Sequence, residues 1–291
     1  MTKQEFLHNG GLDFTVEKVP VHTYDVLHAD DYNKTPFYAT VNVNSGEALG
    51  TVKSKYTVKQ NNELLDYILE KIGDGNYDLA ESKCGHFNHG RKVYFYIKTN
   101  YTADWGQEQA DTFVYGLSSH DGSQKLVFGV CNKIHSCSNM FGVLMNDKDK
   151  AHIVKHTKAI SSIEGSNTLE DMINSNIRGI SNLMKKMQGH RLSMESPIVS
   201  KVMDIVADSK GKVLRTPYYT RRKLVEESVL SEMQSKGNTY YGLFNGMTHY
   251  ITHNMESDDN VMNSIVGKGS EISKKVVQKI VKHMKDNGCL N

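Results

Sequence analysis

The chain has 291 residues, of which 38% are hydrophobic and 23% charged, with only four prolines, a composition that excludes a disordered polymer and suits a folded globular protein. No apolar run approaches the roughly 18 residues a membrane helix needs, and Met1 to Pro20 lacks the charged and apolar regions of a signal peptide, so no membrane partner and a cytoplasmic location are expected. The formal net charge of +2 hides an asymmetry: residues 1–150 carry 15 Lys/Arg against 19 Asp/Glu, and residues 151–291 carry 20 against 14. A polyanion-binding face and ordinary scatter over solvated surfaces both account for it.

In chain order, residues 1–35 are polar and weakly periodic, broken at Gly10-Gly11 and Asp30-Asp31, and read as an irregular N-terminal arm with a short strand near Val19 to Val26. Phe37 to Asn44 alternates as a half-buried strand should, and Leu49 to Val58 is its hairpin partner across Asn44-Ser45-Gly46-Glu47. Leu64, Leu65, Ile68, Leu69 and Ile72 then repeat at helical spacing, with Asn61 as the expected cap and Gly73 as the stop. Tyr77 to Cys84 and Lys92 to Tyr101 form the next strand pair, and Asp111 to Ser118 with Lys125 to Cys131 the one after it. Ser119-His120-Asp121-Gly122-Ser123 joins that last pair, because glycine accepts the positive φ of a tight turn and aspartate tolerates it.

Ile153 to Ile160 can add a strand, and beyond Asn167 the texture is helical. Leu169, Met172, Ile173, Ile177, Ile180, Met184 and Met187 trace one stripe, and further helices are expected at Pro197 to Ala207, Arg221 to Lys236, Tyr240 to Met255 and Ile272 to Lys285. The resulting fold class is α+β: a mostly antiparallel sheet of about six or seven strands with one early helix, then a helical C-terminal half. The expected divisions are an arm over 1–35, an antiparallel α+β domain over 36–165 and a helical region packed on it over 166–291.

The four cysteines, Cys84, Cys131, Cys137 and Cys289, are too few and too unevenly spaced for a disulfide framework and read as reduced thiols. Cys131, His135 and Cys137 lie at C-x3-H-x-C, and with His120, His152 or His156 a zinc site can be drawn. Structural zinc sites normally arrive as two close ligand pairs, and the chain has no C-x2-C, so no metal is expected. Neither a phosphate-cradling G-x4-G-K-[ST] nor a dinucleotide G-x-G-x-x-G is present, and no cofactor is expected.

Cations and aromatics interleave twice. In Arg91 to Lys98, alternation places Lys92, Tyr94, Tyr96 and Lys98 on one strand face, where rings could stack on bases while ammonium groups meet phosphates. Near Arg215 to Lys223, Arg221, Arg222 and Lys223 offer phosphate contacts; packed tyrosines and a solvated helix start are the plain alternatives. Asn245, His249 and His253 form an i, i+4, i+8 stripe, read as polar contacts that hold a helix in place.

Taken in order, Gly50-Thr51-Val52, Tyr56-x-Val58-x-Gln60-Asn61, Ser119 to Ser123 with His120, Asp121 and Gly122, Cys131 or Cys137-Ser138-Asn139, and His156-Thr157 resemble a known set. The late Tyr241-Gly242-x-x-Asn245-x-x-Thr248-x-Tyr250-x-x-His253 extends it. The set resembles the phage/plasmid-like protein family, the domain of unknown function nine-three-two, over about residues 35 to 285. Two cysteines compete for that family's Cys-x-Asn: Cys137-x-Asn139 fits the letters, Cys131-Asn132 the strand end.

The resemblance implies a phage, prophage or plasmid gene, and hence a host cytoplasm. A sheet with a helix laid on it in that setting is analogous to the single-strand annealing recombinases of the RecT, Redβ and Erf kind. The expected function is therefore single-stranded-DNA binding and annealing, without ATP and as a homo-oligomer, a binding protein more than an enzyme. A metal- or cysteine-dependent enzyme acting on nucleic acid or nucleotide, and a host-interaction or anti-defence protein, are the alternatives.

Overall fold

The computed structural model describes residues 1–24, 32–106, 108–136, 140–142, 151–157, 169–207, 216–255 and 268–290. The first element is a helix, α1 (Lys3–Asn9), opened by a capping box in which Thr2 Oγ1 accepts from the Glu5 amide at 3.2 Å and Glu5 accepts from the Thr2 amide at 2.7 Å. The expected irregular arm is thus corrected: Thr2-x-x-Glu5 starts a helix, and the strand that follows, β1 (Val16–Tyr24), is longer than its weak alternation suggested.

Strands β1, β2 (Tyr32–Asn42) and β3 (Ala48–Lys53) pair antiparallel in that order as a three-stranded sheet. β3 stops at Lys53, short of the expected Val58, because the chain turns there and the Tyr56 amide bonds back to the Lys53 carbonyl at 3.0 Å. The solvent and core faces of this sheet separate cleanly, with Thr40 and Val52 buried on one side and Phe37 and Val19 exposed on the other.

Helix α2 (Asn61–Ile72) follows, burying Leu64, Leu65, Ile68, Leu69 and Ile72. Each such side chain contributes about 1.5–3 kcal/mol of hydrophobic free energy. Gln60 stands at the cap position expected of Asn61, and Glu63 reaches back to its amide at 3.2 Å. The Gln60 amide group is itself spent on both backbone groups of Val16, at 3.1 and 2.8 Å, which ties the helix start to β1.

The second sheet runs β4 (Tyr77–Phe87), β5 (Lys92–Asp104), β6 (Gln109–Ser119), β7 (Leu126–Ile134) and β8 (Met140–Gly142), with β9 (Ala151–Val154) also pairing β7. The α+β class is as expected, but the strands divide between two sheets where one was expected, and two helices precede β4. Helices α3 (Leu169–Gly189), α4 (Pro197–Ala207), α5 (Thr216–Lys236), α6 (Tyr240–His249) and α7 (Lys268–Asp286) complete the described chain. A single π-helical turn, Tyr250–Asn254, continues α6.

Two compact units partition the chain: residues 1–100, 113–130 and 147–173 form the first, and residues 101–112, 131–146 and 174–291 the second. In the first, α2 packs its apolar face with Phe95, Phe113 and Phe128 in the core. In the second, Trp105, Ile134, Met184, Val202, Val229, Phe244, Val276 and Ile280 belong to one continuous core.

Candidate functional site

In the first unit the β6–β7 turn is the organising element. Asp121 Oδ1 accepts from the Ser123 amide at 2.8 Å and Ser119 Oγ closes the turn against Gln124, while Gly122 takes φ +72° at the corner. Gly50 of β3 lies directly on this turn: a Cβ there would stand 2.5 Å from the Asp121 Cα, a separation only glycine permits. Burial works to raise the Asp121 carboxyl pKa, but the Ser123 hydrogen bonds, Ser119 and the nearby Lys92 charge outweigh it and hold the group below its ordinary value.

Behind the turn, His120 is fully buried. Asn61 Nδ2 donates to the Leu12 carbonyl at 3.1 Å, which orients its Oδ1 toward His120 Nε2 at 3.0 Å. Nε2 must then carry the proton, leaving Nδ1 bare and without a hydrogen-bond partner. Burial, reinforced by His156, lowers the His120 pKa to about 4. His156 is also buried, stacks on the Tyr56 ring at 4.9 Å, and has its pKa lowered chiefly by burial. The Tyr56 hydroxyl donates to the Ser119 carbonyl at 2.6 Å, and burial raises its pKa. Lys59 is buried beside them, its ammonium disfavoured by desolvation.

The second unit holds a different cluster. Glu108 accepts from Tyr241 Oη at 2.5 Å, from Ser136 Oγ at 2.9 Å and from Lys236 Nζ. Burial alone would raise the Glu108 pKa, but these donors hold it below the ordinary carboxylate value. Glu232, one helical turn before Lys236, has the opposite environment: burial raises its pKa, and its Oε2 meets no donor. His249 Nδ1 lies 3.8 Å from Glu232 Oε1, and the His249 and His253 rings meet edge to face at 4.9 Å where α6 passes into the π-helical turn. Asn245 and Thr248 bond back to carbonyls on their own helix, at 3.0 Å each to Tyr241 and Phe244.

With this geometry in view, the model of one family, Domain of unknown function (DUF932), matches residues 48–282. The chain belongs to this family. Comparison with curated proteins and with solved structures gives no match. The DUF932 match covers β3 through most of α7, so both clusters lie within it.

The early motif residues of this DUF932 chain are brought together in the first unit: Gly50, Tyr56, Asn61, His120, Asp121, Gly122 and His156 surround one turn. Thr157 is exposed. Asn245 and His253 lie in the second unit, and Cys137 and Asn139 lie outside the described residues. His135 is occupied by Asp111 at 2.8 Å and Cys131 is fully buried. Among the described residues no group of three or more His, Cys, Asp and Glu is placed to hold a metal.

The residues expected to touch nucleic acid are placed less favourably. Tyr96 is 4% exposed and stacks on Phe113 at 4.2 Å, so that ring is closed to a base. Tyr94 is half-buried against Phe87. Lys98 pairs with Glu81 at 2.5 Å, and Lys92 is half-buried near Asp121. Arg221 donates to the Ala207 carbonyl at 2.7 Å and Arg222 to Asp204 at 2.9 Å, so both brace α5 on α4, and only Lys223 stands well out in solvent. Sequence reasoning passed over the outer face of α7, where Lys274, Lys275, Lys279, Lys282 and Lys285 are all exposed. Their i, i+4, i+7 spacing was the available signal.

Proposed function

We propose that this chain binds single-stranded nucleic acid through charge, without nucleotide hydrolysis, as an annealing-type recombination protein that works as an oligomer. The observation that carries the reading is the outer face of α7. Its apolar residues Ile272, Val276, Val277, Ile280 and Met284 are buried, so the helix is fixed and its exposed lysines form a row. Lys274 to Lys285 spans about 16 Å at 1.5 Å per residue, long enough to follow several phosphates. Glu271 and Asp286, the acidic residues of the helix, flank that row at its two ends, one turn before Lys275 and one turn after Lys282. The second unit carries 19 Lys/Arg against 14 Asp/Glu, a net +5, so the field around α7 favours a polyanion.

Fluorescence anisotropy of a labelled single-stranded oligonucleotide between 50 and 200 mM salt tests this. Substituting Lys275, Lys279, Lys282 and Lys285 by glutamine should weaken binding uniformly across sequences and flatten the salt slope by roughly 3, at about 0.7 per lost contact. No binding at 50 mM salt, or an unchanged slope in the variant, refutes it.

One observation favours a second reading, acid–base chemistry in the second unit. Glu108 is held ionised while Glu232 is pushed toward its protonated form, the separation that an acid–base pair uses. Hydrolysis of oligonucleotides or nucleotides by the wild-type chain, lost in Glu232→Gln, supports it; turnover indifferent to that change removes it.

A further inference from the structure

The solvent face of the β1–β2–β3 sheet is apolar in the middle and charged at two corners. Val19 is 38% exposed, Phe37 42% and Val43 49%, and Ala39 lies half-covered between them. Large side chains left open on contiguous positions of one sheet face mark a surface that another molecule covers. Glu17 and Lys53 are the charged residues at these positions. Glu17 is in register with Val41 and Lys53 with Phe37, so Glu17 sits on one edge strand and Lys53 on the other, at diagonally opposite corners. Both are exposed, and neither makes an ion pair among the described residues.

That arrangement is self-complementary. The two corners are two strand spacings apart across the sheet and four residues apart along it, a diagonal of roughly 16 Å. A twofold axis lying between two such faces and perpendicular to the diagonal brings Glu17 of each copy over Lys53 of the other. Val19, Ala39 and Phe37 then meet their counterparts in the centre. The strands of the two sheets cross at roughly 70°, near the orthogonal class of sheet packing. We infer that this face is a homodimer surface, closed by an apolar centre and two reciprocal Glu17–Lys53 pairs. A partner of another kind would have no reason to match an acid and a base placed symmetrically about the patch centre.

The inference names the interface for the oligomer in the proposed function and rests on that part of it; nucleic-acid binding is read by a separate assay. Sedimentation velocity of the full chain, without nucleic acid, from 2 to 200 µM is the test. The wild-type chain should dimerise within that range, and Phe37→Asp should remain monomeric while keeping its circular dichroism spectrum. Glu17→Lys and Lys53→Glu should each weaken dimerisation by roughly tenfold, since two pairs turn repulsive. Mixed in equal amounts, the two charge variants should associate with each other better than either does with itself, because one is positive and the other negative at both corners. A wild-type monomer throughout the range overturns the inference. So does a dimer indifferent to the charge swaps, which would leave the oligomer itself standing with its interface elsewhere.

Discussion

His120 makes acid lability a sharp consequence of one side chain. Its Nε2 proton is committed to Asn61 Oδ1, and its bare Nδ1 faces no acceptor, so protonation would create an imidazolium with nothing to receive its second hydrogen bond. The folded state therefore resists the proton until about pH 4, against an ordinary value of 6.5. As pH falls through 6.5 the unfolded chain takes up the proton first, and stability is lost progressively until about pH 4, below which this group costs nothing more. The loss is about 3 kcal/mol at 1.36 kcal/mol per pKa unit. His156, lowered for the same reason, acts in the same direction. Urea unfolding followed by circular dichroism at pH 7.5, 6, 5 and 4.5 measures the loss, and the His120 ring resonance should stay unprotonated down to pH 5. Asn61→Asp places a carboxylate against Nε2, so it should raise the His120 pKa and flatten the pH dependence. A His120 resonance titrating near pH 6.5, or stability flat between pH 6.5 and 4.5, would refute the reasoning.

Four further outcomes follow from packing, charge and burial. Gly50→Ala forces a methyl group against the Asp121 backbone and should cost about 1–3 kcal/mol, whereas Gly189→Ala, with open space around it, should cost nothing measurable. Denaturant midpoints of the two variants decide between them. Glu108→Gln strips the counter-ion from Lys236, whose side chain is 19% exposed, and should cost about 2–3 kcal/mol at pH 7. Glu232→Gln removes a carboxyl whose pKa is raised on folding; unfolding titrations at pH 7 should find it neutral or stabilising. Thiol reagents should leave Cys131 unmodified until denaturant is added, because it is fully buried. Cys84 should resist too, because burial pushes its thiol up to about 12 and it bonds the Phe6 carbonyl.

Local periodicity and the three hairpin pairs were legible; the division of those pairs between two sheets was not. The α2 stripe, the α3 stripe and the bounds of α4 follow from apolar residues at three- and four-residue spacing, because a helix satisfies its own backbone and needs no distant partner. Strands do need one. Alternation located β2, β5 and β6, but nothing in Phe37 to Val58 shows that β3 closes one sheet and β4 opens another. The same limit governs exposure: β5 alternates Lys92, Tyr94, Tyr96 and Lys98 along one face, yet Tyr96 is buried against Phe113, a contact that exists only once the sheet has formed. Arg221 and Arg222 read as free cations, since a carbonyl on α4 and Asp204 become their partners only once two helices pack.

The motif residues and the exposed cations are under different physical constraints in this chain. Gly50 is there because the Asp121 backbone leaves no room for a side chain, Tyr56 because its hydroxyl closes on Ser119, and Asn61 because one amide must serve both Leu12 and His120. Each tolerates few replacements for steric or hydrogen-bonding reasons, so together they make a recognisable signature with Asn61 buried and Gly50 and Tyr56 only partly exposed. Lysines on the outer face of α7 face the opposite constraint: any cation at roughly that spacing meets a phosphate equally well, so the residues best placed to grip a polyanion form no motif. Charge reversal along α7 should change nucleic-acid affinity while leaving the fold untouched, and substitution at Gly50 or Asn61 should do the reverse.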